Sequence, residues 1–294
     1  MDTLLPRRTL LAMTAAAILF GATAGFAEEQ PEKIRALILD GQNNHNWRAT
    51  TPVLRSILQQ SGRFTVDVAT MPTGDAESRS AFSPNFDDYD VVVSNYSDFG
   101  STPAPTPFLE KLLAWVAGGG NFVAVHAATA GMGHHPAYYR LVGLTWGTCS
   151  HGERLAIDSL GNLVRTPKGE GRGTGHGLPG PVDVTIHGED HPITQGLPRG
   201  WQVPRDELWF AVRGPAENLT ILATGYSPQT QKHEPILWTV DYGRGRVFVT
   251  LLGHDTKCMD SPGFRVTLCR GAEWAATGAV TQPVPEGFPK EESR

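Results

Sequence analysis

Gly118-Gly119-Gly120-Asn121-Phe122-Val123-Ala124-Val125-His126-Ala127-Ala128 is the stretch that decides how this chain is read. A glycine run closes a helix, four apolar residues make a short buried strand, and a sharp turn follows with a polar residue at its tip. In an open parallel sheet, ligands collect beyond the carboxyl ends of the strands, where the loops form a crevice. Hydrolases of this architecture place a nucleophile on such a strand-to-helix elbow. Here the tip carries His126. An imidazole forms no acyl-enzyme by itself, but it serves as base, acid or metal ligand. The plainer alternative is a buried histidine with both ring nitrogens hydrogen-bonded.

On either side of that stretch the same pattern repeats. Ile34 to Leu39 is an apolar strand ending at Asp40-Gly41, and a polar loop leads to a helix expected from about Thr51 to Gln60 with Pro52 in its first turn. Phe64 to Ala69 alternates as a second strand, Asp90 to Ser94 is a third, and Pro107 to Ala117 has helical spacing. Two β-α-β units in succession predict a right-handed, doubly wound parallel sheet with helices on both faces, an α/β fold. The second half differs. Val182 to Ile186, Leu219 to Ala223, Ile236 to Val240 and Arg246 to Leu251 read as strands, and Tyr242-Gly243-Arg244-Gly245 as the turn of a hairpin. Antiparallel strands are therefore expected to extend the core sheet. Gly169 to Gly180 is glycine-rich but lacks the Lys-Ser/Thr ending of a phosphate loop and reads as a mobile surface loop.

The N-terminus reads as an export signal. Arg7-Arg8 precedes Thr9-Leu10-Leu11, an apolar run extends to Phe20, and Gly25-Phe26-Ala27 offers small residues for cleavage. The arginine pair resembles a twin-arginine signal, with Ala12 departing from the usual pattern. The expected organisation is a cleaved leader over residues 1–27 and one domain over residues 28–294, periplasmic or secreted. The apolar run is too short for a permanent membrane anchor. With 25 Lys and Arg against 30 Asp and Glu the chain is mildly acidic, and no basic stripe follows the leader, which argues against nucleic acid as a partner. Cys149, Cys258 and Cys269 fit no zinc motif and allow one disulfide at most.

Polar residues gather just past the predicted strand ends: Asp40, His45 and Trp47 after the first, Asn95 and Tyr96 after the third, His126 after the fourth, His254 and Asp255 after the last. One pocket could hold them all. Asp206-Glu207 adds a carboxylate, and only one of two adjacent strand residues can face that pocket. Trp47, Trp146 and Trp209 offer flat apolar faces to a sugar ring, or pack in the core. His151 and His176, in glycine-rich loops, could close over the pocket.

Several blocks together resemble the trehalose-utilisation (ThuA-like) family. They include His45-Asn46-Trp47, Tyr89 to Tyr96, Gly119 to Ala128, Asp190-His191-Pro192, Asp206-Glu207-Leu208-Trp209, His233-Glu234-Pro235, Gly253-His254-Asp255 and Arg270 to Gly278, in order along most of the chain. The resemblance implies a flavodoxin-like sheet of the class I glutamine amidotransferase type. Those amidotransferases carry Cys where this chain has His126, so glutaminase chemistry is not expected. It also implies a part in disaccharide or glycoside breakdown, in company with oxidoreductases that make 3-keto sugars.

The expectations are therefore these. His126, His254, Glu207 and His45 carry acid–base cleavage of a disaccharide or glycoside, a lyase or hydrolase reaction. Trp47, Asn95, Tyr96, Trp146 and Asp255 bind the sugar. A divalent metal, if one is used, sits on His151, Glu207 and His254, in the manner of an open catalytic site. The chain could also form a homo-oligomer. The competing reading is a carbohydrate-binding module without turnover, or a scaffold whose pocket has decayed.

Overall fold

The computed structural model describes Met1, residues 32–132 and residues 135–289. The expected leader, apart from Met1, lies outside the described residues. In the first half the elements are β1 (Ile34–Asp40), α1 (Trp47–Gln60), β2 (Phe64–Thr70), α2 (Ala76–Ser80), β3 (Val91–Ser94), α3 (Thr106–Ala117), β4 (Phe122–Val125) and α4 (Pro136–Val142). Strands β5 (Glu153–Ile157), β6 (Leu163–Thr166), β7 (Gly175–His176), β8 (Gly180–Ile186) and β9 (Gly200–Asp206) follow. Then come β10 (Trp209–Phe210), β11 (Arg213–Gly214), β12 (Leu219–Ser227), β13 (Lys232–Tyr242), β14 (Gly245–Thr250), α5 (Thr256–Met259) and α6 (Pro262–Thr277).

The main sheet runs β2-β1-β3-β4-β14-β13-β12-β8-β9. Its first five strands are parallel and the rest antiparallel. The chain steps from β1 to β2 in one direction and from β3 to β4 in the other. Right-handed crossovers in opposite directions put α1 and α3 on opposite faces, which makes the doubly wound core and a switch point between β1 and β3. The central strands are covered on both sides, so Val91 to Val93, Phe122 to Val125 and Val247 to Val249 are all buried. A continuous apolar run, with no alternation, is what such strands require. Contact is close where α6 crosses β14. A Cβ on Gly271 would come 2.1 Å from the Phe248 ring, so only glycine lets the helix approach this far.

Two boundaries differ from the sequence reading. Helix α1 starts a turn early, at Trp47, because the Asn46 side chain accepts from the Ala49 N–H and caps it. Pro52 therefore stands inside the helix, where its ring nitrogen leaves the Arg48 carbonyl without its usual donor. The glycine-rich segment is also less open than expected. His176 and Gly175 pair with Trp209 and Phe210 in a two-stranded ladder. Among the described residues no helix is long and apolar enough to cross a membrane. The three cysteines are free thiols.

Candidate active site

The elbow after β4 is strained. His126 has φ +46°, a left-handed conformation that residues other than glycine seldom adopt. The 3-10 turn His126–Ala130 follows directly, and the His126 ring is 2% exposed. Its Nδ1 lies 2.6 Å from the Leu251 carbonyl oxygen at the end of β14. A carbonyl only accepts, so Nδ1 carries a proton, and Nε2 points away from Leu251. That Nε2 is buried without a hydrogen-bond partner.

What it faces is Glu207. The Oε2 of Glu207 is 3.6 Å from His126 Nε2 and accepts from the Trp209 indole N–H at 2.9 Å. The other oxygen, Oε1, is 3.6 Å from His254 Nε2 and 2.9 Å from His176 Nδ1. His45 completes the group, its ring centroid 4.5 Å from that of His254 and 5.1 Å from that of His126. One ligand-type atom from each of His45, His126, Glu207 and His254 lies within 4.8 Å of every other.

Each member is held by a strand end. His45 is set by the loop after β1, where Asn43 Oδ1 accepts the His45 N–H and Asn43 Nδ2 donates to the Asn95 carbonyl after β3. Glu207 and His254 are tied together by Asp206. Its carboxylate accepts from the backbone N–H groups of Glu207, Gly253 and His254 at 2.8, 2.7 and 3.2 Å. The chain can make that turn because Gly253 has φ +99° and a Cβ there would meet the Phe264 ring at 2.6 Å. So β9, last along the sheet path, still delivers its end to the loop after β14. The adjacent carboxylates divide as strand geometry requires: Glu207 enters the site and Asp206 holds the backbone behind it.

Electrostatics follow from this crowding. Burial opposes ionisation of Glu207, but the neighbouring His126, the Trp209 N–H and His254 outweigh it and bring the carboxyl down to about 2. Burial lowers His45 to about 4, with His126 and His254 pushing the same way and Glu207 opposing them. At neutral pH the site holds a carboxylate and at least one neutral imidazole.

A cavity of about 150 Å³ opens over this group, lined by Asn44, His45, Phe99, Trp146, His176, Glu207 and Trp209 among others. Phe99, Ala130 and Trp146 also line a second cavity of about 510 Å³, with Asp98, Tyr139, Thr148 and His151 on its wall. The two share the Trp146 ring as a wall, which packs edge-on to Trp209 at 5.0 Å.

The structure thus brings together His45, His126, Glu207 and His254, and adds His176 to them through the β7–β10 ladder. Trp146 walls the cavity, and Asp255 sits beside the site, 3.5 Å from His254 Nδ1, while capping α5 through the Cys258 N–H. Three expected sugar contacts lie elsewhere. Trp47 lies under the Arg48 guanidinium at 4.2 Å and lines neither cavity. Asn95 is spent on the Thr50 and Thr51 hydroxyls, and the buried Tyr96 hydroxyl accepts from Arg79. The residues named as a metal trio are not brought together either. His151 closes its own turn, its Nδ1 accepting from the Thr148 N–H at 3.0 Å, and stands in the larger cavity apart from Glu207 and His254. It is His45 and His126 that group with Glu207 and His254.

The family model for trehalose utilisation (ThuA) matches residues 35–275. Among solved structures, a ThuA-like protein from Parabacteroides merdae is 37% identical, with a TM-score of 0.82 over 89% of this chain and 96% of that one. A ThuA-like protein from Bacteroides uniformis is 18% identical and shares the fold, with a TM-score of 0.58 over 89% of this chain and 97% of that one. No curated protein sequence matches the chain. Matched over most of its length by the model, this chain belongs to the trehalose-utilisation (ThuA) family.

Proposed function

We propose that this protein is an exported enzyme that cleaves a disaccharide or glycoside by acid–base chemistry, with a 3-keto sugar as the form its groups suit. The observation that carries the reading is the carboxylate and four imidazoles gathered under an aromatic-walled cavity. Binding alone asks for hydrogen bonds and flat rings. It does not ask for a strained, buried imidazole set against a carboxylate, and strain of this kind collects at functional sites.

A carbonyl at sugar carbon 3 acidifies the hydrogen on carbon 2. A base takes that proton, the electron pair closes a double bond to carbon 1, the bond from carbon 1 to the leaving oxygen breaks, and that oxygen takes a proton. The reaction needs a base that is free near neutral pH, a positive or donor group at the carbonyl oxygen, and an acid at the leaving oxygen. His176 lines the cavity with about half its side chain exposed and its Nδ1 2.9 Å from Glu207 Oε1, so it is the group placed to carry the proton. His45 and Glu207 meet the sugar oxygens. His126 stands behind them and acts on substrate through Glu207. Trp146 and Phe99 offer apolar faces to the ring, and the adjoining cavity has room for the leaving group.

The test is to incubate the protein, from Glu28 onward, with 3-keto and unmodified glucosides and to follow products by NMR. Release of the leaving group from the 3-keto form is expected. If both substrates bind and neither is consumed, the protein is a binding module. Export is checked separately, by mass spectrometry of the periplasmic form, which we expect to begin near Glu28.

A further inference from the structure

We infer that His45, His126, His254 and Glu207 form a binding site for one first-row divalent transition-metal ion. The Nε2 of His126 is buried with no hydrogen-bond partner. With Nδ1–H donated to Leu251, a neutral ring turns a lone pair toward Glu207 Oε2, which is itself an acceptor already taking the Trp209 N–H. Two lone pairs facing each other in a buried site repel unless a cation lies between them. The cation is either a proton on Nε2 or a metal ion.

Distance favours the metal. A charge-assisted hydrogen bond from an imidazolium to a carboxylate closes to ~2.8 Å. Two ligands of one tetrahedral ion, each ~2.1 Å from it, stand about 3.4 Å apart. Glu207 is 3.6 Å from His126 through one oxygen and 3.6 Å from His254 through the other. Both separations are too long for the first arrangement and fit the second. The third imidazole near this carboxylate, His176, comes to 2.9 Å from Oε1 while its Nδ1 is hydrogen-bonded to the Gly177 carbonyl.

The outer contacts agree. A ligating histidine ordinarily gives its second ring N–H to a carbonyl or carboxylate. His126 gives its own to Leu251, and His254 Nδ1 is turned to Asp255, 3.5 Å away. Three imidazoles with one carboxylate suit zinc, cobalt, nickel, iron or manganese rather than calcium or magnesium, which take oxygen ligands. His45 and Glu207 line the cavity, so an ion among the four lies at its floor, where a substrate oxygen could complete its coordination. That role rests on the function proposed above; the binding of the ion does not.

The experiment uses tag-free protein stripped with chelator, dialysed, and titrated with Co²⁺ while visible absorption is recorded. One equivalent should bind, with ligand-field bands of a nitrogen- and oxygen-ligated ion and a rise in thermal midpoint. H126N and H254Q should each weaken binding at least 100-fold, and H151Q should leave it unchanged. Because a single variant could misfold, circular dichroism of both is compared with the parent. Binding below one-tenth of an equivalent, or bands that persist in both variants, would overturn the site. Metal-free protein that still cleaves a glycoside overturns the ion's part in the reaction and leaves the function standing; the site itself then stands or falls with the Co²⁺ titration. Stoichiometric Co²⁺ without turnover of any glycoside supports the site and removes the function.

Discussion

His126 shows how much one residue determines here. Its left-handed φ, its burial and its bond to Leu251 aim a single nitrogen at Glu207. Asparagine tolerates that φ better than most residues, whereas alanine gains nothing to offset the strain, which costs on the order of 1 kcal/mol. We therefore expect H126N to fold and to lose ~10²-fold or more in turnover, the scale set by a positioned acid–base or ligand group. H126A should lose as much turnover and unfold at lower urea than H126N. Equal midpoints for the two variants would show that the backbone strain is not felt. Histidine at the elbow was legible in the sequence, since a polar tip after an apolar strand marks a ligand crevice. Its partner was legible only in part: Glu207 stood out as a carboxylate near a strand end, but nothing in the sequence tied it to a particular imidazole.

At the scale of elements, the site is a meeting of four strand ends, and Asp206 is the clasp. Its carboxylate receives three backbone N–H groups from two separate segments, which fixes Glu207 and His254 together. In D206A those buried donors lose a charged acceptor, and hydrogen bonds of that kind carry ~1.5–3 kcal/mol each with partial compensation by water. We expect a loss of roughly 3–5 kcal/mol by urea unfolding, with D206N intermediate. A loss below 1 kcal/mol for D206A would mean that the clasp is not needed. The parallel half of the sheet was legible in β1, β3 and β4, which are apolar and followed by turn residues; β14 read as one arm of an antiparallel hairpin, and its parallel pairing with β4 left no mark in the sequence. His176 could not be placed from its neighbours. A two-residue strand in a glycine-rich loop leaves no periodicity, and its pairing with Trp209 depends on a segment more than thirty residues away. Trp47 misled for the opposite reason, since an aromatic residue after a strand looks the same whether it faces a pocket or starts a helix under Arg48.

At the scale of the whole molecule, stability should depend on pH through histidines remote from the site. His191 packs against Trp274 and accepts the Ile193 N–H, and His187 bonds the Thr224 hydroxyl. Burial lowers both from the ordinary 6.5, so below that pH the unfolded chain binds more protons than the folded one. Stability then falls as pH drops through 6 toward the lowered values, and it is retained above 7. We expect the urea midpoint to fall between pH 7 and pH 5, and H191Q to flatten that slope; an unchanged slope would remove His191 from the account. All this scaffolding serves one claim, that the carboxylate of Glu207 and the imidazoles around it are the working centre for a glycoside. The most direct measurement is the turnover of a 3-keto glucoside by E207Q against the parent, with urea midpoints recorded on the same preparations. The account predicts at least a 100-fold loss of turnover with a midpoint that still reports a folded protein. A folded E207Q that turns over within threefold of the parent would contradict it.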